Sequence, residues 1–138
     1  MIFQQQIKIQ TQGRSTTNIT GDIDSVIQAS KINTGLCHIF IQHTSASLII
    51  TENADPDVRR DLEYYFSKYI QDGDPNYRHN MEGDDDMAAH IRTVLTQTEI
   101  TIPLTQGNPG LGTWQGVFLW EHRSNPHRRK IMITVSGE

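Results

Sequence analysis

The spacing of apolar residues predicts that much of this chain is β-strand. Apolar side chains return on alternate positions in several short segments, which is the period of a strand with one buried face. The predicted strands cover residues 2–12, 15–20, 36–43, 46–51, 98–104, 115–122 and 130–136. Most sequential pairs are close enough for hairpins, so we expect a largely antiparallel sheet or two packed sheets.

Three other segments carry the signals of helices. Asp22 can cap a helix that ends near Asn33, and residues 86–96 form a short helix. Asp55 and Pro56 mark a helix start, because aspartate accepts free N–H groups and proline fits the first turn. The residues predicted to face inward are Ile23, Val26 and Ile27 in the first helix, Val58, Leu62, Phe66 and Tyr69 in the second, and Met87, Ile91, Val94 and Leu95 in the third.

These elements predict an α+β fold with largely antiparallel, sandwich-like β-sheets and about three helices. The length of 138 residues is typical of a single domain, here residues 1–138. The segment of residues 71–85 is polar and rich in turn residues, and it is the longest predicted loop. Loops of this length are usually either functional or mobile.

Composition narrows the class of protein. A net charge of −4 and a pI near 5.8 argue against broad nucleic-acid binding. No apolar run reaches the roughly 20 residues that a membrane helix needs. The first ten residues lack the features of a signal peptide, and the single cysteine, Cys37, cannot form an internal disulfide. We therefore expect a cytoplasmic protein that has no nucleic-acid or membrane partner.

The strand that contains Cys37 changes character along its length. Cys37, Ile39 and Ile41 share one face, and His43, Ser45 and Ser47 continue that face if the chain stays extended. One interpretation is a core that runs into a polar pocket. The other is a strand that emerges into solvent, and this segment alone favours neither.

Three histidines are candidate metal ligands. Asp86 and His90 are four residues apart, so they share a helix face and can pair, although such pairs are common on surfaces. His90 together with His43 and His79 would provide three imidazoles, and with water these would make an open zinc site. The acidic residues at 82–86 offer oxygen ligands, which magnesium prefers. If these side chains converge, the expected cofactor is a divalent metal, zinc or magnesium. The alternative is an acidic run that forms a solvated turn, because no local spacing brings the three histidines together.

The glycine-rich segment 107–116 is a candidate anion site, because glycines let backbone N–H groups approach a ligand closely. It matches neither a Walker A loop nor a dinucleotide fingerprint. A plain glycine-rich connection between strands fits equally well. Trp114 in this segment is either a core aromatic or a stacking wall.

These motifs together resemble the YjbQ family over nearly the whole chain. The matching segments are GLCxxFxxHTSASL at 35–48, ENxDPxVxxDL at 52–62, Tyr77-x-His79, Glu82-Gly83-x-Asp85, Ala89-His90 and GTWQG at 112–116. The resemblance implies a compact α+β protein that assembles as a homotrimer. It also implies a weak thiamine phosphate synthase activity, a transferase reaction that joins a pyrimidine diphosphate to a thiazole phosphate and releases pyrophosphate.

The resemblance also implies roles for individual residues. The expected catalytic residues are His43, His90 and Asp61, and the expected metal ligands are His43, His79 and His90. The expected contacts to a small phosphorylated metabolite are Ser45, Ser47, Glu52, Gly112, Thr113, Trp114 and Gln115. Two alternatives remain open: a metal-dependent hydrolase of a phosphorylated metabolite and a ligand-binding module without turnover.

Overall fold

Three helices and eight strands make up the computed structural model, which describes residues 1–138. The strands are β1 (Ile2–Gln10), β2 (Ser15–Asn18), β3 (Gly35–Ile41), β4 (Ala46–Glu52), β5 (Glu99–Thr105), β6 (Asn108–Pro109), β7 (Gln115–Glu121) and β8 (Arg128–Gly137). The helices are α1 (Thr20–Ser30), α2 (Pro56–Tyr69) and α3 (Asp86–Leu95). The predicted α+β fold with antiparallel sheets and three helices is confirmed.

The strands form two sheets in which every pairing is antiparallel. One has the order β1-β8-β3-β5-β6 and the other the order β2-β7-β4. The expectation of hairpins between sequential strands is wrong, because only β5 and β6 are both consecutive and paired. Instead the chain crosses from one sheet to the other at its other connections, for example after β3 and after β7. Because of each crossing, the two consecutive strands lie in different sheets. Their apolar faces then pack against each other between the sheets.

The hydrophobic core lies between the two sheets and extends under α1. The larger sheet contributes the alternate residues of β3 that were predicted to share one face, together with alternate residues of β8, and the smaller sheet contributes residues of β4 and β7. Core residues include Cys37, Ile39, Ile41, Ile131, Ile133 and Val135 from the larger sheet, Ala46, Leu48, Val117 and Leu119 from the smaller, and Ile23, Val26 and Ile27 from α1. Full burial of one such aliphatic side chain contributes about 1.5–3 kcal/mol.

The first two helices differ from expectation at single positions. Helix α1 begins at Thr20, and Asp22 lies inside its first turn rather than at the cap. The start of α2 is confirmed, since the Asp55 side chain accepts a hydrogen bond of 2.9 Å from the Asp57 backbone N–H. The placement of Tyr69 in the core is wrong, because 64 % of this residue is exposed. Helix α2 lies on the surface and has no fully buried residue.

The side of α3 that packs against the rest of the protein differs from the predicted side. Val94 and Leu95 are 82 % and 62 % exposed, so their predicted burial is wrong. The buried residues of α3 are Asp86, Ala88, Ala89, Arg92 and Thr93. The cause is a set of distant charged partners, because Arg92 pairs with Glu63 and Asp86 pairs with Arg123. These ion pairs orient the polar face of α3 inward. None of the three helices is both long and apolar enough to span a membrane.

Candidate metal site and adjacent cavity

Two histidines and one aspartate converge at the start of α3. The Nε2 atom of His79 lies 2.7 Å from Oδ2 of Asp86, and the Nε2 atom of His90 lies 3.2 Å from the same oxygen. One potential ligand atom from each of these three residues lies within 4.8 Å of the other two. The polar loop that precedes α3 brings His79 to the helix, whereas Asp86 and His90 share a helix face as their spacing predicted.

A backbone carbonyl fixes one proton of the His90 ring on Nδ1. Nδ1 of His90 lies 2.9 Å from the carbonyl oxygen of Thr44. A carbonyl oxygen only accepts hydrogen bonds, so Nδ1 must carry the proton. In the neutral ring Nε2 therefore presents a lone pair, and this lone pair points at a carboxylate oxygen of Asp86. Two acceptors face each other there, an arrangement that a cation between them relieves.

Arg123 holds the carboxylate of Asp86 from its other side. Its guanidinium lies 2.9 Å from Oδ1 of Asp86 and donates a hydrogen bond of 2.9 Å to Asp85. Burial opposes ionisation of Asp86, but the hydrogen bond from His79 and the charge of Arg123 hold its pKa below the ordinary value. Asp86 is therefore an ionised, buried carboxylate with one oxygen directed at both imidazoles.

The donor set of His79, Asp86 and His90 fits a zinc-type metal ion. Ligand atoms around one tetrahedral zinc stand roughly 3.3 Å apart, because each bond to the metal is about 2 Å long. The spacing of 3.2 Å from Oδ2 of Asp86 to Nε2 of His90 is close to that value, whereas the 2.7 Å to Nε2 of His79 is a hydrogen-bond contact that would lengthen around a metal. Carbonyl contacts of the kind that Thr44 makes to His90 are typical of ligating histidines. Three protein ligands also leave a fourth position open.

A cavity of about 450 Å³ opens beside this centre. Its wall contains His43, Thr44, His90, Thr93, Val94, Thr96 and Thr98. His43 thus shares a cavity with His90, as expected, but it does not belong to the three-residue ligand group. Its Nε2 accepts a hydrogen bond of 2.7 Å from the backbone N–H of Lys130. Burial, followed by the charge of Arg129, lowers the pKa of His43.

Two serines expected to contact substrate are buried in internal networks. Ser47 is fully buried, with His122 Nε2 at 2.8 Å and Thr96 Oγ1 at 2.6 Å from its hydroxyl. Ser45 is 8 % exposed, and its hydroxyl and carbonyl oxygens both accept from Arg129. The polar residues that follow Ile41 therefore lie in two places. His43 lines the cavity, whereas Ser45 and Ser47 are buried in the interior.

The other predicted contact residues lie apart from this cavity. None of them lines it or belongs to the ligand group. Glu52 accepts from the backbone N–H groups of Ala54 and Asp55 and so organises the turn before α2. Gly112, Thr113, Trp114 and Gln115 are exposed, and the Gln115 side chain accepts from the Gly112 N–H at 2.8 Å. Asp61, which was expected to be catalytic, is exposed on α2. The substrate-binding role of the contact residues and the catalytic role of Asp61 stay predictions.

A buried polar cluster next to the cavity was missed by the sequence analysis. Glu121 is fully enclosed, and it accepts hydrogen bonds from Arg129, from the Thr11 hydroxyl and from the Arg123 backbone. The alternation of strand residues could have predicted this cluster. Glu121 lies on the inward-facing alternate positions of β7, and Arg129 lies on the same face of β8 as the buried Ile131.

The chain matches one protein family over almost all of its length. Residues 5–138 match the family described as UPF0047 protein YjbQ-like. A UPF0047 protein of Synechocystis is 54 % identical over 135 residues, which cover 98 % of this chain and 92 % of the relative. The UPF0047 protein YjbQ of Escherichia coli O157:H7 is 38 % identical, with 100 % of both chains covered.

Solved structures agree with these sequence relations. The crystal structure of a conserved YjbQ/UPF0047-family protein from Clostridium acetobutylicum matches with a TM-score of 0.87 and 30 % identity, covering 95 % of this chain and 98 % of that one. A conserved hypothetical protein from Thermus thermophilus matches with a TM-score of 0.85 and 29 % identity, over the same shares of the two chains. The chain belongs to the YjbQ-like UPF0047 family.

Proposed function

We propose that this protein is a metal-dependent enzyme acting on a small phosphorylated metabolite, with His79, Asp86 and His90 as the metal ligands. One observation carries the proposal. The Thr44 carbonyl fixes the proton of His90 on Nδ1, so the Nε2 lone pair faces the Asp86 carboxylate at 3.2 Å. A metal ion between these two acceptors would be held by both, and His79 adds a third ligand atom at the same place.

The donor types favour zinc or a similar transition metal over magnesium. Two imidazole nitrogens and one carboxylate oxygen suit zinc, whereas magnesium prefers oxygen ligands and several waters. When bound, such a metal polarises a phosphoryl oxygen or a water molecule. The chain's own residues do the positioning: Thr44 orients His90, and Arg123 keeps Asp86 ionised and aimed at the centre.

The adjacent cavity is of a suitable size for a small metabolite. Its volume of about 450 Å³ lies within the range of roughly 300–1,000 Å³ that is usual for small-molecule sites. The reaction we propose first is the thiamine phosphate synthase-like transfer, in which a pyrimidine diphosphate joins a thiazole phosphate and pyrophosphate leaves. The second candidate is hydrolysis of a phosphorylated metabolite. It is favoured by the nitrogen-rich donor set with an open position, which is typical of zinc sites that activate water.

We further propose that the protein works as a cytoplasmic homotrimer. The support is the family resemblance together with several apolar side chains that this chain leaves in solvent. Val94 and Leu95 on α3 and Leu36 and Phe40 on β3 are all more than 40 % exposed. Exposed apolar groups of this kind are typical of surfaces between subunits. Because Val94 also lines the cavity, such an interface would border the site.

The experiment that tests the metal site compares His90→Ala with the matched control His38→Ala. His38 is a half-exposed histidine on β3 that pairs with Glu99 and belongs to neither the ligand group nor the cavity. Elemental analysis after zinc loading should find stoichiometric metal in the wild type and in His38→Ala. His90→Ala should lose it and yet keep its circular dichroism spectrum. Equal metal content in all three proteins would refute the site.

Activity assays on the same proteins separate the candidate functions. Transfer is followed with the pyrimidine diphosphate and the thiazole phosphate as substrates, and hydrolysis with a panel of phosphorylated metabolites. Turnover by the wild type and His38→Ala, together with its loss in His90→Ala, supports an enzyme and identifies the reaction. Metal-dependent binding of a phosphorylated compound without turnover would instead identify a ligand-binding module.

A further inference from the structure

His43 has a fixed proton position that differs from what a metal ligand needs. The backbone N–H of Lys130 only donates, and it donates to Nε2 of His43 at 2.7 Å. Nε2 must therefore supply the lone pair, and the neutral ring carries its single proton on Nδ1. The same contact extends the pairing of β3 with β8 beyond Ile41, where the Gln42 N–H also donates to the Lys130 carbonyl.

The Nδ1–H group of His43 remains free. No protein atom accepts a hydrogen bond from it, and the buried side-chain atoms without a partner are only Arg92 Nε and His122 Nδ1. Nδ1 of His43 therefore reaches solvent in a residue that lines the cavity beside the metal centre. A metal would need a free lone pair on one ring nitrogen. The lone pair of Nε2 accepts from the Lys130 N–H, and Nδ1 carries the proton.

The four threonine side chains of the cavity are also neutral. The hydroxyls of Thr93 and Thr96 donate to carbonyl groups within α3. The hydroxyls of Thr44 and Thr98 have no protein partner, so they are free to contact a ligand. The cavity thus offers His43 and two threonine hydroxyls as hydrogen-bond donors without a formal charge. Such donors suit a phosphoryl oxygen whose charge is shared with the neighbouring metal.

We infer that His43 is a ligand-binding residue that donates a hydrogen bond from Nδ1–H to an oxygen of the phosphorylated metabolite, and that it does not bind the metal. This inference rests on the proposed function, because it assigns a substrate contact within the same site. It changes the role expected for His43 from metal ligand to neutral donor. Burial and the nearby Arg129 lower the pKa of His43, which agrees with a neutral ring.

Two substitutions separate the donor from the other properties of the ring. His43→Asn places an amide nitrogen close to the position of Nδ1 and keeps a donor there, whereas His43→Leu removes it. Both variants remove the acceptor for Lys130, so they share that loss and differ mainly in the donor. The probe is inorganic pyrophosphate, titrated calorimetrically into the zinc-loaded proteins, with His90→Ala as the metal-free reference.

The expected result is that both variants keep stoichiometric zinc. Pyrophosphate affinity should fall about 10- to 100-fold in His43→Leu, the loss expected for a hydrogen bond to a charged ligand, and remain within a few-fold of wild type in His43→Asn. Long-range proton–nitrogen NMR spectra of the wild type should place the His43 proton on Nδ1 before and after zinc is added.

Several results would overturn the inference and leave the proposed function standing. Loss of zinc from His43→Leu, or a change at the His43 nitrogens when zinc binds, would make His43 a metal ligand. Unchanged pyrophosphate affinity in His43→Leu would show that its Nδ1–H contacts no ligand oxygen. If the wild type binds no zinc at all, or binds pyrophosphate equally well without zinc, the proposed function itself fails.

Discussion

The substitution Glu121→Gln should strongly destabilise this protein. Glu121 is fully buried and accepts hydrogen bonds from Nε and Nη2 of Arg129, from the Thr11 hydroxyl at 2.7 Å and from the Arg123 N–H at 3.1 Å. Arg129 is only 4 % exposed, so the substitution leaves a guanidinium buried without an anionic partner. Removal of one partner from a buried ion pair costs about 3–5 kcal/mol.

That loss converts into a large shift in Tm. Unfolding entropy is about 2.1 cal/mol/K per residue, and the chain has 138 residues. A loss of 3–5 kcal/mol then lowers Tm by roughly 10–17 °C. The assay is thermal or urea unfolding followed by circular dichroism. The double variant Glu121→Gln with Arg129→Met should lose less than the single variant, because no buried charge is then left over.

The ion pair also makes stability depend on pH. Burial raises the pKa of Glu121, but the hydrogen bonds from Arg129 and Thr11 outweigh burial and hold it below its ordinary value of 4.5. A carboxyl group with a lowered pKa in the folded state stabilises the protein above its unfolded-state pKa, and that stability is lost as the pH falls through the folded value. Glu121→Gln should therefore show a smaller loss of stability between pH 5 and pH 3 than wild type.

A small effect would refute this reasoning. If Glu121→Gln lowers the free energy of unfolding by less than about 1 kcal/mol, the pair contributes no more than an exposed salt bridge does. A double variant at least as unstable as the single one would likewise show that the unpaired charge of Arg129 is not the cause. If the protein binds zinc at the candidate site, added zinc should partly restore the Tm of the variant, because a ligand that binds only the folded state stabilises it.

Three further predictions concern other parts of the molecule. Burial, then the charges of Arg92 and other arginines, lowers the pKa of His122 to about 3. Between pH 6.5 and 3 the unfolded chain therefore binds more protons than the folded one, so the free energy of unfolding falls as the pH is lowered. This loss should be smaller in His122→Gln, whose amide can still hydrogen-bond to Ser47. Burial raises the pKa of the Cys37 thiol to about 12, so iodoacetamide should label Cys37 only after denaturation. If the protein is a homotrimer that uses the exposed face of α3, Val94→Asp should lower the sedimentation coefficient, whereas an unchanged coefficient would exclude that face from the interface.

Local sequence patterns determined the strands and the start of α2. Alternation marked Cys37, Ile39 and Ile41 as a buried face, and the Asp55–Pro56 pair marked the helix start, because both signals depend on neighbouring residues alone. The spacing of Asp86 and His90 also predicted their contact. The shared cavity of His43 and His90 followed from motifs that resemble a family rather than from spacing.

The tertiary structure decided the order of strands in the sheets, the buried face of α3 and the group of residues that could hold a metal. Arg92 is buried because Glu63, 29 residues earlier in the chain, pairs with it, and no local pattern contains that contact. His43 was expected to be a metal ligand, but its Nε2 accepts from the Lys130 N–H, 87 residues away, and the group that could hold a metal contains Asp86 instead. Side-chain type and period are local properties, whereas the partner that satisfies a buried charge or a ring nitrogen is set by long-range packing.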